Sequence, residues 1–182
     1  AQAGIARTFQ NIRLFGDMTA LENVMVGRHV RTRAGLWGAM LRTPGVRREE
    51  AAIRERAMEL LDYVKIAHYA DFRARTLSYG DQRRPEIARA LAPDPRLLAR
   101  DDPAAGMNAT EKVGLRDLLD HIRSDGRTIL LIEHDVKLVM GLCNRVTVLD
   151  YGKRIAEGTP AQVQSDPAVI TAYLGTGQQG TP

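Results

Sequence analysis

The run Thr128-Ile129-Leu130-Leu131-Ile132-Glu133 restricts the fold more than any other stretch. A short, continuous apolar segment of this kind reads as a strand buried on both faces, the pattern of a parallel sheet. Before it, Val113, Leu115, Leu118, Leu119 and Ile122 recur at helical spacing, so a helix is expected over residues 110–124, with Asp125-Gly126 as its stop. Leu97-Leu98-Ala99 is a second short buried strand. Strands alternating with helices predict an α/β fold, a mainly parallel sheet covered by helices.

The same reading extends along the chain. Ile5, Arg7 and Phe9 alternate with Ala6 and Thr8, which predicts a strand ending near Gln10. Residues 19–26 read as a helix with Thr19 as cap and Glu22 at its third position. Residues 27–46, with four glycines and Pro44, are the least regular part. Ile53, Ala57, Leu60, Leu61 and Val64 place a helix over about 47–65. Residues 77–92 form a loop leading into a helix, with Ile87, Ala88 and Leu91 inward. Further on come a helix at 136–143, strands at 145–150 and 153–157 around Tyr151-Gly152, and a last helix at 161–174.

Composition excludes several classes. No run approaches the ~20 apolar residues of a membrane-spanning helix, and Ala1-Gln2-Ala3-Gly4 shows no signal-peptide pattern, so a cytoplasmic protein is expected. The single cysteine, Cys143, rules out an internal disulfide framework and reads as a small core residue. The net charge of +4 comes from arginines such as Arg28, Arg31, Arg33, Arg42, Arg47 and Arg48, read as a solvated face. With 5% aromatic residues there is little to stack on bases, so no nucleic-acid partner is expected.

Three blocks carry chemistry. In Leu77-Ser78-Tyr79-Gly80-Asp81-Gln82, Ser78 offers a hydroxyl and Gly80 permits close backbone approach, both where a helix begins and its free N–H groups favour an anion. Leu97-Leu98-Ala99-Arg100-Asp101-Asp102-Pro103 is an apolar strand ending in two acids, and carboxylates suit Mg²⁺. His134 closes the strand-like run at 128–133.

In this order and spacing the blocks resemble the ATP-binding subunit of an ABC transporter, with a P-loop NTPase (ABC-type) core and an α-helical subdomain. The resemblance implies that Ser78, Tyr79, Gly80, Asp81 and Gln82 are the signature segment that binds the γ-phosphate of ATP held by the opposite protomer. It implies that Asp101 helps hold Mg²⁺, that Asp102 stands where the family has a glutamate orienting the attacking water, and that His134 is the switch histidine. Gln10 resembles the glutamine that senses Mg²⁺ and the attacking water, and residues 104–108 the loop that crosses the dimer interface. Ala156-Glu157-Gly158-Thr159-Pro160 and Ala172-Tyr173-Leu174-Gly175 narrow the resemblance to the branched-chain (hydrophobic) amino acid importers.

The implied partners are a second ATPase subunit completing a dimer, two membrane-spanning permease subunits and, indirectly, a periplasmic binding protein. The implied place is peripheral, on the inner face of the bacterial plasma membrane. The expected domains are a core segment at 1–16 ending in the glutamine loop, a helical subdomain at 17–76 that docks on the permease, the remaining core at 77–160, a C-terminal helix at 161–175 and a tail at 176–182.

Several features depart from the family pattern. The chain contains no G-x-x-x-x-G-K-S/T phosphate loop, so it reads as the later part of such an ATPase, expected neither to bind ATP tightly nor to hydrolyse it alone. Asp102 is one methylene short, Arg100 stands where an apolar residue is expected, and Pro85 falls inside a helix, where a kink is expected. The family strand that feeds the phosphate loop lies between those at 128–133 and 145–150, so these two are expected not to pair, leaving an unstable, aggregation-prone chain. The alternative is a catalytically dead interaction module docking on membrane subunits or an intact partner ATPase. A DNA-maintenance ATPase is disfavoured, since heptad arms and paired cysteines are missing.

Overall fold

A computed structural model describes residues 1, 3–8, 12–31 and 44–174. They form two compact units, Ala1–Ile132 and Glu133–Pro182.

In the first unit, β1 (Ile5–Arg7), β2 (Leu97–Asp101) and β3 (Thr128–Ile132) form a parallel sheet in the order β1-β2-β3. The register sets Ile5 beside Leu97 and Leu97 beside Thr128, and ends with Asp101 beside Ile132. Among the described residues, four α-helices accompany the sheet: α1 (Ala20–Arg28), α2 (Pro44–Tyr63), α3 (Tyr79–Leu91) and α4 (Ala109–Ser124). Thr19 and Glu22 make the expected capping box on α1, and Asn108 with Glu111 makes another on α4. Where α1 meets α3, a Cβ on Gly27 would lie 2.3 Å from the Arg89 carbonyl oxygen, so only glycine lets the two backbones come this close. Leu21, Val24, Leu61, Ile87, Leu91 and Leu98 are buried in the resulting core.

The helix over residues 47–65 starts earlier, at Pro44, because proline fits the first helical turn without loss. The one at 77–92 starts at Tyr79 and runs as one helix through Pro85, which is buried together with Ile87, Ala88 and Leu91. Of the irregular stretch, residues 29–31 form a short 3-10 turn, and residues 32–43 lie outside the described residues.

β3 is not buried on both faces: Leu130 is 51% and Ile132 56% exposed. Side chains on a strand alternate between faces. Ala6, Leu98 and Arg100, on one face, are buried, while Ile5, Leu130 and Ile132, on the other, are exposed.

The second unit contains α5 (Val136–Leu142), then β4 (Val146–Asp150) and β5 (Lys153–Gly158) paired antiparallel. Tyr151 and Gly152 both have positive φ, 44° and 74°, as a tight two-residue hairpin turn requires. β3 pairs with β2 and β4 with β5, so the strands expected not to pair belong to different sheets. The single helix expected over 161–174 is broken. A short α6 (Pro160–Gln164) ends, and Pro167 opens α7 (Pro167–Val169), which continues into a π turn at Ile170–Leu174. A residue before proline resists helical geometry, and Asp166 instead caps the new helix by accepting from the Ala168 N–H at 2.8 Å. Val146, Val163 and Val169 form this unit's core, with Cys143 packed beside them and partly buried.

Candidate functional site

The start of α3 and the end of β2 both belong to the first unit. At α3, Ser78 is the N-cap: its Oγ accepts from the Asp81 N–H at 3.2 Å and donates to Asp81 Oδ2 at 2.7 Å. An acidic side chain therefore already sits in the first turn, where an anion is favoured. Gln82 turns its side-chain amide back to the Leu77 carbonyl at 2.9 Å. A Cβ on Gly80 would come within 2.7 Å of Glu111 Oε1, so here the glycine makes room for the acid that caps α4. Tyr79 is exposed, and its hydroxyl accepts from Arg83 at 2.9 Å.

At the other end, Asp101 is the last residue of a parallel strand, the edge where α/β sheets present groups to ligands. It lies on the open face, and its Oδ2 accepts from Arg7 Nη2 at 3.2 Å. Asp102 takes a φ of 46°, and its N–H donates to the Ile132 carbonyl at 2.8 Å, extending the ladder by one residue. Left-handed geometry in a non-glycine residue costs about 1–3 kcal/mol and persists only where surrounding structure holds it. Carboxylates are hard oxygen donors, the ligand type Mg²⁺ takes, and that of Asp101 is partly exposed.

Arg100 points the opposite way and is 2% exposed, close to Glu86 of α3, also 2% exposed. Burial pushes the Glu86 carboxyl above its usual range, against the pull of Arg100, a hydrogen bond from the Arg13 N–H, and the charges of Arg89 and Arg83. The charge of Arg100 thus acts on a buried acid of α3.

In the second unit, His134 follows the strand run and is exposed. Its backbone N–H donates to Glu133 Oε2 at 3.0 Å, and Asp135 caps α5 by accepting from the Leu138 N–H at 3.1 Å. Gln10 lies outside the described residues. The sequence reading missed Arg83 and Glu86. Both look like solvated charges on a polar helix face, and only the doubled arginine Arg83-Arg84 set them apart.

A parallel sheet carrying two acids at a strand end, with a serine-capped helix beside it, is an arrangement that suits phosphate and metal ligands. The sequence profile of the ABC transporter family matches residues 1–105, and a profile described as branched-chain amino acid ATP-binding cassette transporter matches residues 153–178. This chain belongs to the ATP-binding cassette family of ABC transporters. It is 44% identical over 176 residues to the high-affinity branched-chain amino acid transport ATP-binding protein LivG of Escherichia coli K12, covering 96% of this chain and 69% of that one. The corresponding protein BraF of Pseudomonas aeruginosa matches with the same identity and coverage. A solved ATP-binding cassette of an ABC transporter in its ADP conformation superposes with a TM-score of 0.77 at 30% identity, covering 96% of this chain and 69% of that one. No described helix is long and apolar enough to cross a membrane.

Proposed function

We propose that this chain is the ATP-binding, ATP-hydrolysing subunit of a branched-chain amino acid importer, coupling ATP hydrolysis to transport. The observation carrying this reading is the 44% identity spread across 96% of the chain rather than confined to its motifs. In the working assembly it pairs with a second ATPase subunit beneath two permease subunits, on the inner face of the bacterial plasma membrane, and a periplasmic binding protein delivers the solute. The helical segment 17–76 docks on the permease.

Ser78 and Gly80 present the start of α3 to a phosphate held by the partner subunit. Asp101 and Gln10 hold Mg²⁺, Asp102 orients the attacking water, and His134 contacts the γ-phosphate. Bound Mg²⁺ supplies charge neutralisation at the phosphate oxygens. Because Asp102 reaches less far than glutamate, hydrolysis is slow, as ~1 Å of misplacement can cost about a hundredfold.

Leucine uptake by Escherichia coli lacking LivG tests the transport reading, with this chain supplied alone or joined to a phosphate-loop segment. Restored uptake in the joined form supports it; no uptake in either form, with both proteins expressed and folded, counts against it. Calorimetric titration with MgATP is expected to show binding only in the joined form, because the 182-residue chain contains no phosphate-loop motif.

The alternative reading is a catalytically dead interaction module that docks on membrane subunits or an intact partner ATPase. Raised hydrolysis by an intact partner on titration with this chain, together with no turnover by the joined form, would select it.

A further inference from the structure

We propose that Arg83 is a positioning residue that clasps the interface loop to the start of α3, so that Ser78, Gly80 and Asp102 are held as one piece. The inference rests on the functional reading above and assigns a role to a residue outside its motifs. Arg83 is 1% exposed although its neighbours on α3 include the partly exposed charges Asp81 and Arg84. Its Nη1 donates to the Pro103 carbonyl at 2.6 Å, and its Nη2 to the Ala105 carbonyl at 2.6 Å and the Tyr79 hydroxyl at 2.9 Å. The guanidinium carbon lies 5.0 Å from the centre of the Tyr79 ring. That ring in turn covers Gly106, whose Cβ, if present, would stand 3.4 Å from Tyr79 Cε1.

The geometry is that of a fork. A planar guanidinium offers fixed donors to two acceptors at once, which an ammonium or an amide cannot match. Both carbonyls belong to the turn just after Asp102, the residue held at a φ of 46°. That turn closes with the Ala105 N–H on the Asp102 carbonyl at 3.3 Å and the Met107 N–H on the Ala104 carbonyl at 3.1 Å. Its internal bonds are few, and the grip from α3 supplies the remaining constraint. Burying a cation is tolerated where its donors find such partners.

Amide hydrogen exchange on the 182-residue chain tests the clasp with Arg83→Lys and Arg83→Gln, each able to reach one carbonyl at most. Two variants are used so that loss of fold in one leaves the other readable. Exchange at Ala105 and Met107 is expected to quicken about tenfold while Ile87 and Leu91 stay within about twofold of wild type. Unchanged exchange at Ala105 and Met107 in a folded variant overturns the proposal.

Hydrolysis in trans provides a readout that a purely structural role would not move. Escherichia coli LivG serves as the ATP-bearing partner, titrated with wild-type chain or variant. A roughly tenfold fall in kcat with the KM for ATP kept within about twofold supports positioning. A raised KM with kcat preserved overturns it. If the wild-type chain leaves the LivG rate unchanged, the reading of this chain as completing a partner's site fails, and exchange alone decides the clasp.

Discussion

The two faces of the three-stranded sheet are built from the same residues in alternation yet have opposite fates. On one face, Leu98 and Arg100 are buried; on the other, Leu130 and Ile132 are more than half exposed and Asp101 meets solvent beside Arg7. β2 thus sends a charge to each side: Arg100 into the core against Glu86, and Asp101 out to the open face. Apolarity alone does not decide burial. What matters is whether another element lies over that side of the strand.

The largest expected effect compares leucines across the faces. Leu98→Ala should destabilise the chain by about 3 kcal/mol through lost burial and a cavity, whereas Leu130→Ala should stay within about 0.5 kcal/mol. Urea denaturation of both variants measures this, and equal losses would break the comparison. Charges give the second test. Glu86→Leu removes the buried acid on which the charge of Arg100 acts and should cost about 3 kcal/mol, while Glu86→Leu with Arg100→Leu should recover most of that loss. A double variant no better than the single one would mean that the two residues do not act as a pair.

A smaller effect sharpens the contrast between buried and accessible charge. Burial works to raise the Asp94 pKa, but hydrogen bonds from Arg28 and Arg56 and their charges outweigh it and hold the carboxyl below its ordinary 3.8. With the folded pKa depressed, this stabilisation is present above pH 3.8 and is lost as pH falls through the folded value. Asp94→Asn should therefore cost about 1 kcal/mol or less at neutral pH, since the pair is partly exposed, and the gap from wild type should close in acid. Asparagine also tolerates the φ of 52° at this position. Smallest of all, Arg7→Ala removes an exposed partner of Asp101 and should change stability by less than about 0.5 kcal/mol in the same urea assay.

Helix limits were legible wherever they depend on local chemistry. Thr19 with Glu22 announced α1, and Gly126, with a φ of 83°, ended α4 as its residue type predicts. The placement of Asp101 and Asp102 at a strand end and of Ser78 at a helix start was legible from order and spacing. The split of the last helix was also available in Asp166-Pro167, though apolar periodicity masked it. Arg83 and Glu86 were not legible, because a charged residue in a polar-looking helix carries no mark of the partner that will bury it.

The sequence by itself determined the α/β alternation, the caps, the strand ending in two acids and the family to which the chain belongs. Each of these lies in residue types within a few positions of one another or in direct similarity to relatives. Only the tertiary structure decided that β3 has an open face, that Arg100 turns inward to Glu86, and that Arg83 binds the turn following Asp102. These outcomes depend on which side of a strand a distant helix covers, and burial is a property of the packed neighbours rather than of the residue.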